Sequence, residues 1–356
     1  MRRVPWLLKS SPLKAALQLA FVFVAFSACQ SQESGDQNPV DATVPAEPKS
    51  GRAFRFTTWN VRNFQLNPPA EKGPAKPNSA VSAVVRCLLD VKPDVLGLIE
   101  MGSREDLAHL QTALRQGGLE LTHSEWIEAA DKDRHIALLS RFPITARQPR
   151  TQLSYVLDGR RFPVQRGFLD VTLGISSDFQ LRLCGAHLKS PRGTVEADQA
   201  LMRRNEARLL RQTLDSILVG GPGQHLLLFG DFNCAKNDPS MRDIKGLTIS
   251  PGDMTEIHTS DKNGHRWTYY YPEEDSYARI DFLLRSRSLG PAIVPGSGSI
   301  AAPTFWDDAS DHRAVSVLID PLRLLSKPTK KSRKKPAIED KPTEPKPTKP
   351  KAPAKL

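Results

Sequence analysis

The chain has 356 residues, 39% hydrophobic and 25% charged, with 50 basic against 39 acidic residues and a formal charge of +11. This composition excludes a collagen-like or wholly disordered chain, and the confinement of the longest apolar run to the N-terminus excludes a polytopic membrane protein. Residues 1–28 hold four basic and no acidic residues and 327–356 hold eleven against three, leaving 35 basic and 36 acidic between them; the middle is therefore not a globally basic nucleic-acid binder, although a local patch is compatible with it.

In chain order, Met1 to Lys14 is a basic lead and Ala15 to Ala28 is apolar except for Gln18. That run has the length of a signal-peptide core and is short for a membrane span. Phe26-Ser27-Ala28-Cys29 follows; small residues before a Cys resemble a bacterial lipobox, with Cys29 the lipidated residue and Phe26 standing where Leu is usual. Ordinary cleavage after Ser27 is the alternative, and both readings export the chain. Residues 1–28 are read as the signal peptide, 29–52 as a polar, Pro/Ser-rich tether and 53–322 as one globular domain. The Lys/Pro-rich segment 323–356 has too little apolar surface to offset its ordering entropy. The expected location is the cell envelope, in the outer membrane of a Gram-negative host, or else secretion.

Within the domain, Phe54 to Trp59 reads as a strand. Helical apolar spacing runs from Ser79 to Leu89 and stops before Pro93, and Val95 to Ile99 is a buried apolar run. A helix over 104–116 ends at Gly117-Gly118. Further strands are expected at Ile136 to Leu139, Phe168 to Leu173, Leu181 to Ala186, Leu226 to Phe229, Ile280 to Leu284 and Ala314 to Ile319. A long amphipathic helix is expected over Val195 to Leu218, and a turn at Lys262-Asn263-Gly264 before a strand from His265 to Tyr271. Many strands with few long helices predict two packed sheets flanked by helices. Cys87, Cys184 and Cys234 are too sparsely spaced for a disulfide framework and read as buried small apolar residues.

Polar residues recur where apolar strands stop: Asn60 after FRFTTW, Glu100 after DVLGLI, His187 after LRLCGA, and Asp231 and Asn233 after HLLLFG. Asp281 lies inside RIDFLL, and Asp311-His312 precede RAVSVLI. A strand end presents a carboxylate, amide or imidazole rigidly at a common rim. Each alone is ordinary turn chemistry; the ordered set is not.

The ordered segments WNVRNF, PDVLGLIE, HIALLSRFPI, CGAHLKS, LLLFGDFNC, ARIDFLL and SDHRAV resemble the endonuclease/exonuclease/phosphatase superfamily from about Phe54 to Ile319. The AHLKS segment is closer to its secreted bacterial nucleases than to its phosphoinositide phosphatases. The resemblance implies an α/β, four-layer α-β-β-α sandwich of two mixed sheets, and hydrolysis of phosphate esters with Mg²⁺, or with Mn²⁺ or Ca²⁺ in its place. It implies metal contacts from Glu100, Asn60 and Asp311, consistent with the hard oxygen ligands that Mg²⁺ takes. It assigns His312 as base or phosphate-polarising group, Asp281 as acceptor of its other ring proton, and Asp231 as orienter of water. Asn233 would donate to a phosphoryl oxygen, and His187 would serve the leaving group. Arg166, and less directly Arg141, would clamp phosphate through the guanidinium fork. Arg62 and Asn63 lie beside Asn60. Trp267 and Tyr269 to Tyr271 would either stack on bases or fill the core.

The leading expectation is an exported Mg²⁺-dependent nuclease acting on DNA. Its partners would be nucleic acid as substrate and the membrane through the lipid anchor, with no obligate protein partner. A sphingomyelinase-like or inositol-phosphate phosphoesterase, and an inactive polymer-binding scaffold, are the alternatives.

Overall fold

A computed structural model of the chain describes residues 53–193, 196–221, 223–247, 250 and 252–324. The segments read as signal peptide and tether, Cys29 among them, and most of the Lys/Pro-rich tail lie outside the described residues. Among those described, no helix is long and apolar enough to cross a membrane.

The first half of the domain runs β1 (Phe54–Phe64), α1 (Asn78–Val91), β2 (Val95–Met101), α2 (Arg104–Gln116), β3 (His123–Ile127), β4 (His135–Ser140), β5 (Ile144–Arg147), β6 (Ser154–Leu157), β7 (Arg160–Pro163), β8 (Phe168–Ser176) and β9 (Phe179–His187). The second half runs α3 (Gln199–Gly220), β10 (Leu226–Asp231), α4 (Pro239–Lys245), β11 (Thr255–Glu256), β12 (Tyr269–Tyr271), β13 (Ser276–Ala278), β14 (Asp281–Arg285), β15 (Ser299–Ile300), α5 (Trp306–Ala309) and β16 (Val315–Ile319). One six-stranded sheet has the order β15-β16-β1-β2-β4-β3 and the other β11-β14-β10-β9-β8-β5.

Both sheets are built alike. Each has a parallel central pair, β1 with β2 and β10 with β9, flanked by antiparallel neighbours. Parallel neighbours end on the same side, and an antiparallel neighbour begins there. One end of each sheet therefore collects two strand C-termini and the start of a third strand.

Three apolar clusters define four layers. Phe56, Ile99, Leu183, Phe229 and Val317 belong to the cluster between the sheets. Leu210, Leu214, Leu228 and Met241 pack α3 and α4 on the outside of one sheet, and Val84, Leu88, Leu98 and Leu110 pack α1 and α2 on the other. The interior contact between sheets turns on Phe229, whose ring lies 5.2 Å from Phe56. It fits because Gly97 on β2 and Gly185 on β9 have no side chains; a Cβ at either would collide with it. The two-sheet, helix-flanked architecture expected from the strand count is thus the one observed.

Two boundaries differ from expectation. Helix α3 begins at Gln199, where the Asp198 carboxylate accepts the Leu201 amide as a cap. The strand expected from His265 contracts to Tyr269–Tyr271. Asp261 accepts the amides of Asn263 and His265, and Arg313 donates to the Trp267 carbonyl, so local side chains satisfy backbone groups that a strand would have used. Cys87, Cys184 and Cys234 are free and buried.

Candidate active site

The matched sheet ends face one another. One sheet contributes Asn60 from β1, Glu100 from β2 and His312 just ahead of β16. The other contributes His187 from the end of β9, Asp231 from the end of β10 and Asp281 from the start of β14. In register, Asp231 sits directly between His187 and Asp281. These residues surround a cleft of about 590 Å³ whose wall includes Glu100, His187, Asp231, Asn233, Asp311 and His312.

Local backbone places the carboxylates. Gly230 has φ +144, and a Cβ there would overlap the Ala186 carbonyl; glycine lets β10 run against β9 up to Asp231. Glu100 (φ +61) occupies the irregularity between Ile99 and Met101, and Asn233, Arg62 and Asn63 also have positive φ. Non-glycine residues held in this region mark local strain, and here four of them gather at the cleft.

Asn60 is buried and donates through Nδ2 to Glu100 Oε1 (3.3 Å) and Asp231 Oδ2 (3.1 Å), while its Oδ1 accepts the Arg62 amide. It stands where a metal contact was expected, but it acts as a strut between two carboxylates. Glu100 Oε2 accepts the Asn63 amide at 3.0 Å, and Asp231 Oδ1 accepts the Asn233 amide at 2.9 Å. Among the described residues, neither carboxylate forms an ion pair with Lys or Arg; the nearby ring nitrogens are those of His187 for both and of His312 for Asp231.

His312 Nδ1 lies 2.9 Å from Asp281 Oδ2, and Nε2 lies 3.8 Å from Asp231 Oδ2. Burial opposes a charged ring, but Asp281, with Asp231 and Asp311 behind it, raises the imidazole to about 10. The proton on Nδ1 therefore belongs to the Asp281 bond, and Nε2 carries the second one. Burial, with Asp281 alongside, moves Asp231 upward, so it holds a proton more readily than an ordinary carboxylate. His187 is the opposite case. Burial, reinforced by Arg166 and Arg134, keeps it well below its usual value and therefore neutral. Its Nε2 is 3.7 Å from Asp231 Oδ2 and its Nδ1 has no hydrogen-bond partner.

A supporting layer fixes these groups. Ser310 Oγ donates to the Asn60 carbonyl and accepts the His312 amide. Trp59 Nε1 donates to the His312 carbonyl, and Thr268 Oγ1 accepts the Asp281 amide. Tyr269 bridges to His312, with ring centres 4.7 Å apart. Asn233 Nδ2 donates to the Leu188 carbonyl at 3.0 Å, which leaves one N–H of that amide for a ligand.

The arginines are divided differently from expectation. Arg166 is buried at the cleft and pairs with Asp131 at 3.0 Å; its Nη1 has no hydrogen-bond partner. Arg141 does not join it. It follows the C-terminal end of β4, and because β4 runs antiparallel to β2, Ser140 pairs with Val95 at the end of the sheet away from Glu100. There Arg141 is bound to Asp94 at 2.6 Å. The arginine that reaches the cleft is Arg134, ahead of the same strand, held by Asp131 beside Arg166. Arg192, hydrogen-bonded to Tyr269, also lines the cleft. Asp311 lies 3.6 Å from Arg62 Nε. Strand direction could have identified Arg134; nothing in the sequence singles out Arg192. Of the aromatic residues, Tyr269 and Tyr271 line the cleft, whereas Trp267 packs against Tyr277, Trp306 and Arg313.

The donor set fits a hard divalent cation. Glu100 and Asp231 share the Asn60 amide nitrogen, and among the described residues neither pairs with Lys or Arg; Glu100 has no charged partner, the condition that a bound cation relieves. The trio Asp231, Asp281 and His312 also brings ligand atoms within 4.8 Å of one another. In that trio, however, His312 Nδ1 is already bonded to Asp281, so it fits proton transfer better than metal capture. Glu100, next to Asp231 and with Asp311 across the cleft, is the better seat for a cation.

The model of the Endonuclease/Exonuclease/phosphatase family matches residues 57–312. No curated protein sequence matches the chain. Solved structures share its architecture at low identity. Sphingomyelinase C from Streptomyces griseocarneus is 15% identical with TM-score 0.53, covering 76% of this chain and all of the other. The human nocturnin catalytic domain with bound sulfate is 17% identical with TM-score 0.54, covering 75% and 93%. Truncated Caenorhabditis elegans TDP2 is 15% identical with TM-score 0.51, covering 75% and 97%.

Proposed function

The chain belongs to the endonuclease/exonuclease/phosphatase family, whose members are generally hydrolases of phosphoester bonds, and from that membership we propose that it is an exported, Mg²⁺-dependent nuclease hydrolysing DNA. The observation that carries the substrate class is the cleft wall. Arg62, Arg134, Arg166 and Arg192 ring an acidic centre, with Tyr269 and Tyr271 beside them. Guanidinium forks match phosphate oxygens, and flat rings accept bases without regard to sequence. Export and anchoring through Cys29 rest on the N-terminal sequence pattern alone.

Hydrolysis adds water across one P–O bond: a bond forms from water oxygen to phosphorus, the ester P–O bond breaks, and the proton lost by the water, taken up first by Asp231, passes through solvent to the departing oxygen. Glu100 would hold the divalent cation, which when bound would supply positive charge to stabilise the phosphoryl group. Asp231, deprotonated and fixed by Asn60 and Asn233, orients the water and accepts its proton. His312, oriented by Asp281, points its Nε2–H toward the phosphate and stabilises the developing negative charge. Neutral His187 lies on the other side of Asp231, placed to attend the departing oxygen. Arg166 and Arg134, pinned together by Asp131, hold the flanking phosphate oxygens.

Plasmid and linear DNA incubated with Mg²⁺, with and without EDTA, test this reading. Wild type should cut both, EDTA should stop it, and His312→Ala should be slower by about two orders of magnitude or more. Absence of metal-dependent cutting by wild type would reject the nuclease, and release of headgroup phosphate from phospholipid vesicles in its place would establish the lipid-directed alternative.

A further inference from the structure

Beside the cleft, four cations converge on a single carboxylate. Glu256, on edge strand β11, is approached by Arg266 Nη2 at 2.9 Å, Arg279 Nη2 at 3.0 Å, Lys245 Nζ at 3.4 Å and Lys236 Nζ at 3.7 Å. The lone pairs of two carboxylate oxygens can receive four donors, but one negative charge does not balance four positive ones. Arg279 shows the shortfall, being largely buried with Nε and Nη1 lacking hydrogen-bond partners. The other nearby carboxylate, Asp253, is taken by Arg287 at 3.1 Å. Four cations thus share the one charge of Glu256, and three of them, Lys236, Lys245 and Arg266, lie with Glu256 and Asp253 on the wall of a hollow of about 320 Å³. An oxyanion entering there would gain ion pairs that Glu256 cannot supply.

Chain connectivity ties this hollow to the catalytic cleft. Lys236 is three residues beyond Asn233, and Arg279 lies between Ala278 and Ile280, both on the cleft wall. Fully extended, the segments from Asn233 to Lys236 and from Arg279 to Asp281 span at most about 11 Å and about 7 Å. These limits on backbone reach keep the cluster near the cleft along the chain, within the length of a polynucleotide engaged there.

We propose that the hollow formed by Lys236, Lys245 and Arg266 over Glu256 and Arg279 is a second phosphate subsite, holding a backbone phosphate of the polynucleotide undergoing cleavage. This rests on the nuclease reading and extends it to a long substrate engaged at two points. Arg279 and Glu256 hold the cluster in place, and the two lysines, the more mobile cations, close on the phosphate. The near-neutral domain binds a polyanion in this way without being basic overall.

The test compares the full chain with Lys236→Gln and the Lys236→Gln/Lys245→Gln pair, measuring kcat/KM on a long single-stranded oligonucleotide and on bis(p-nitrophenyl) phosphate, which cannot reach both points. For the pair, the ratio of oligonucleotide to small-diester kcat/KM should fall about tenfold or more, and the slope of log affinity against log salt should flatten by about 0.7, the amount for one phosphate contact on a single strand. Lys236, half exposed, gives the same direction at smaller amplitude with little risk to folding. If wild type cuts DNA and the ratio and slope are unchanged in the pair, the subsite is overturned and the nuclease stands. If wild type hydrolyses only the small diester, both fall. Loss of binding to anionic vesicles with oligonucleotide cleavage intact would also overturn it.

Discussion

The catalytic cluster separates two histidines by what lies behind each ring. His312 has a carboxylate at 2.9 Å and is drawn toward the charged form; His187 has an unpartnered Nδ1 and two arginines nearby, and is kept neutral. Asp281→Asn should therefore lower kcat by about two orders of magnitude with little change in KM. NMR titration of the His312 ring should show its pKa descending from about 10 toward the ordinary value; an unmoved titration would remove Asp281 from this role. A second residue gives a stability prediction. Glu206 on α3 is buried, accepts the Lys189 amide at 2.7 Å, and is pushed up by burial to about 7 from an ordinary 4.5. The folded state thus binds its proton more tightly than the unfolded state, so this group's stabilising contribution is complete below about 4.5 and is lost as pH rises toward 7. Glu206→Gln removes the titration and keeps an acceptor. Wild type should lose on the order of 2–3 kcal/mol relative to the variant between those pH values; parallel stability–pH curves would refute it.

Strand direction explains which residues could be read from the sequence. Asn60 lies where β1 leaves its regular pairing with β2, Glu100, His187 and Asp231 lie at or beside the ends of β2, β9 and β10, Asp281 begins β14 and His312 stands just ahead of β16, so polar residues after, inside or before apolar runs located all six. The same pattern misassigned Arg141, because a residue after β4 lies at the far end of the sheet; only pairing, which periodicity does not reveal, distinguishes it from Arg134. The contraction of the strand expected at His265 has in part a similar cause: Asp261 takes nearby amides, but Arg313, which takes the Trp267 carbonyl, is 46 residues away, beyond any local window. Packing between the sheets was equally hidden. Gly97 looks like an interruption in an apolar run, yet it clears space for Phe229 on the opposing sheet. Gly97→Ala should cost roughly 1–3 kcal/mol through overpacking, measurable as a lower denaturation midpoint at unchanged m-value; a wild-type midpoint would show that the ring moves aside freely.

At the scale of the molecule, charge rather than shape marks the cleft. Overall charge pointed to the two chain ends and gave no hint that Glu100 and Asp231 would share one amide donor with no Lys or Arg between them. A divalent cation that fills this deficit binds only the folded chain, so Mg²⁺ should raise the melting temperature; at about 100 times its Kd the gain is about 2.7 kcal/mol. EDTA should reverse the shift and Glu100→Gln should abolish most of it. A shift of full size in that variant would place the cation elsewhere. The topology has a further consequence for timing. Strand β16 is nearly the last element of the domain to be made, yet it lies against β1, the first, and the imidazole precedes it by only a few residues. A chain cut short before β16 would accordingly lack the last of the cleft's six groups: five can assemble before that strand is made, and the sixth takes its place only when β16 pairs with β1.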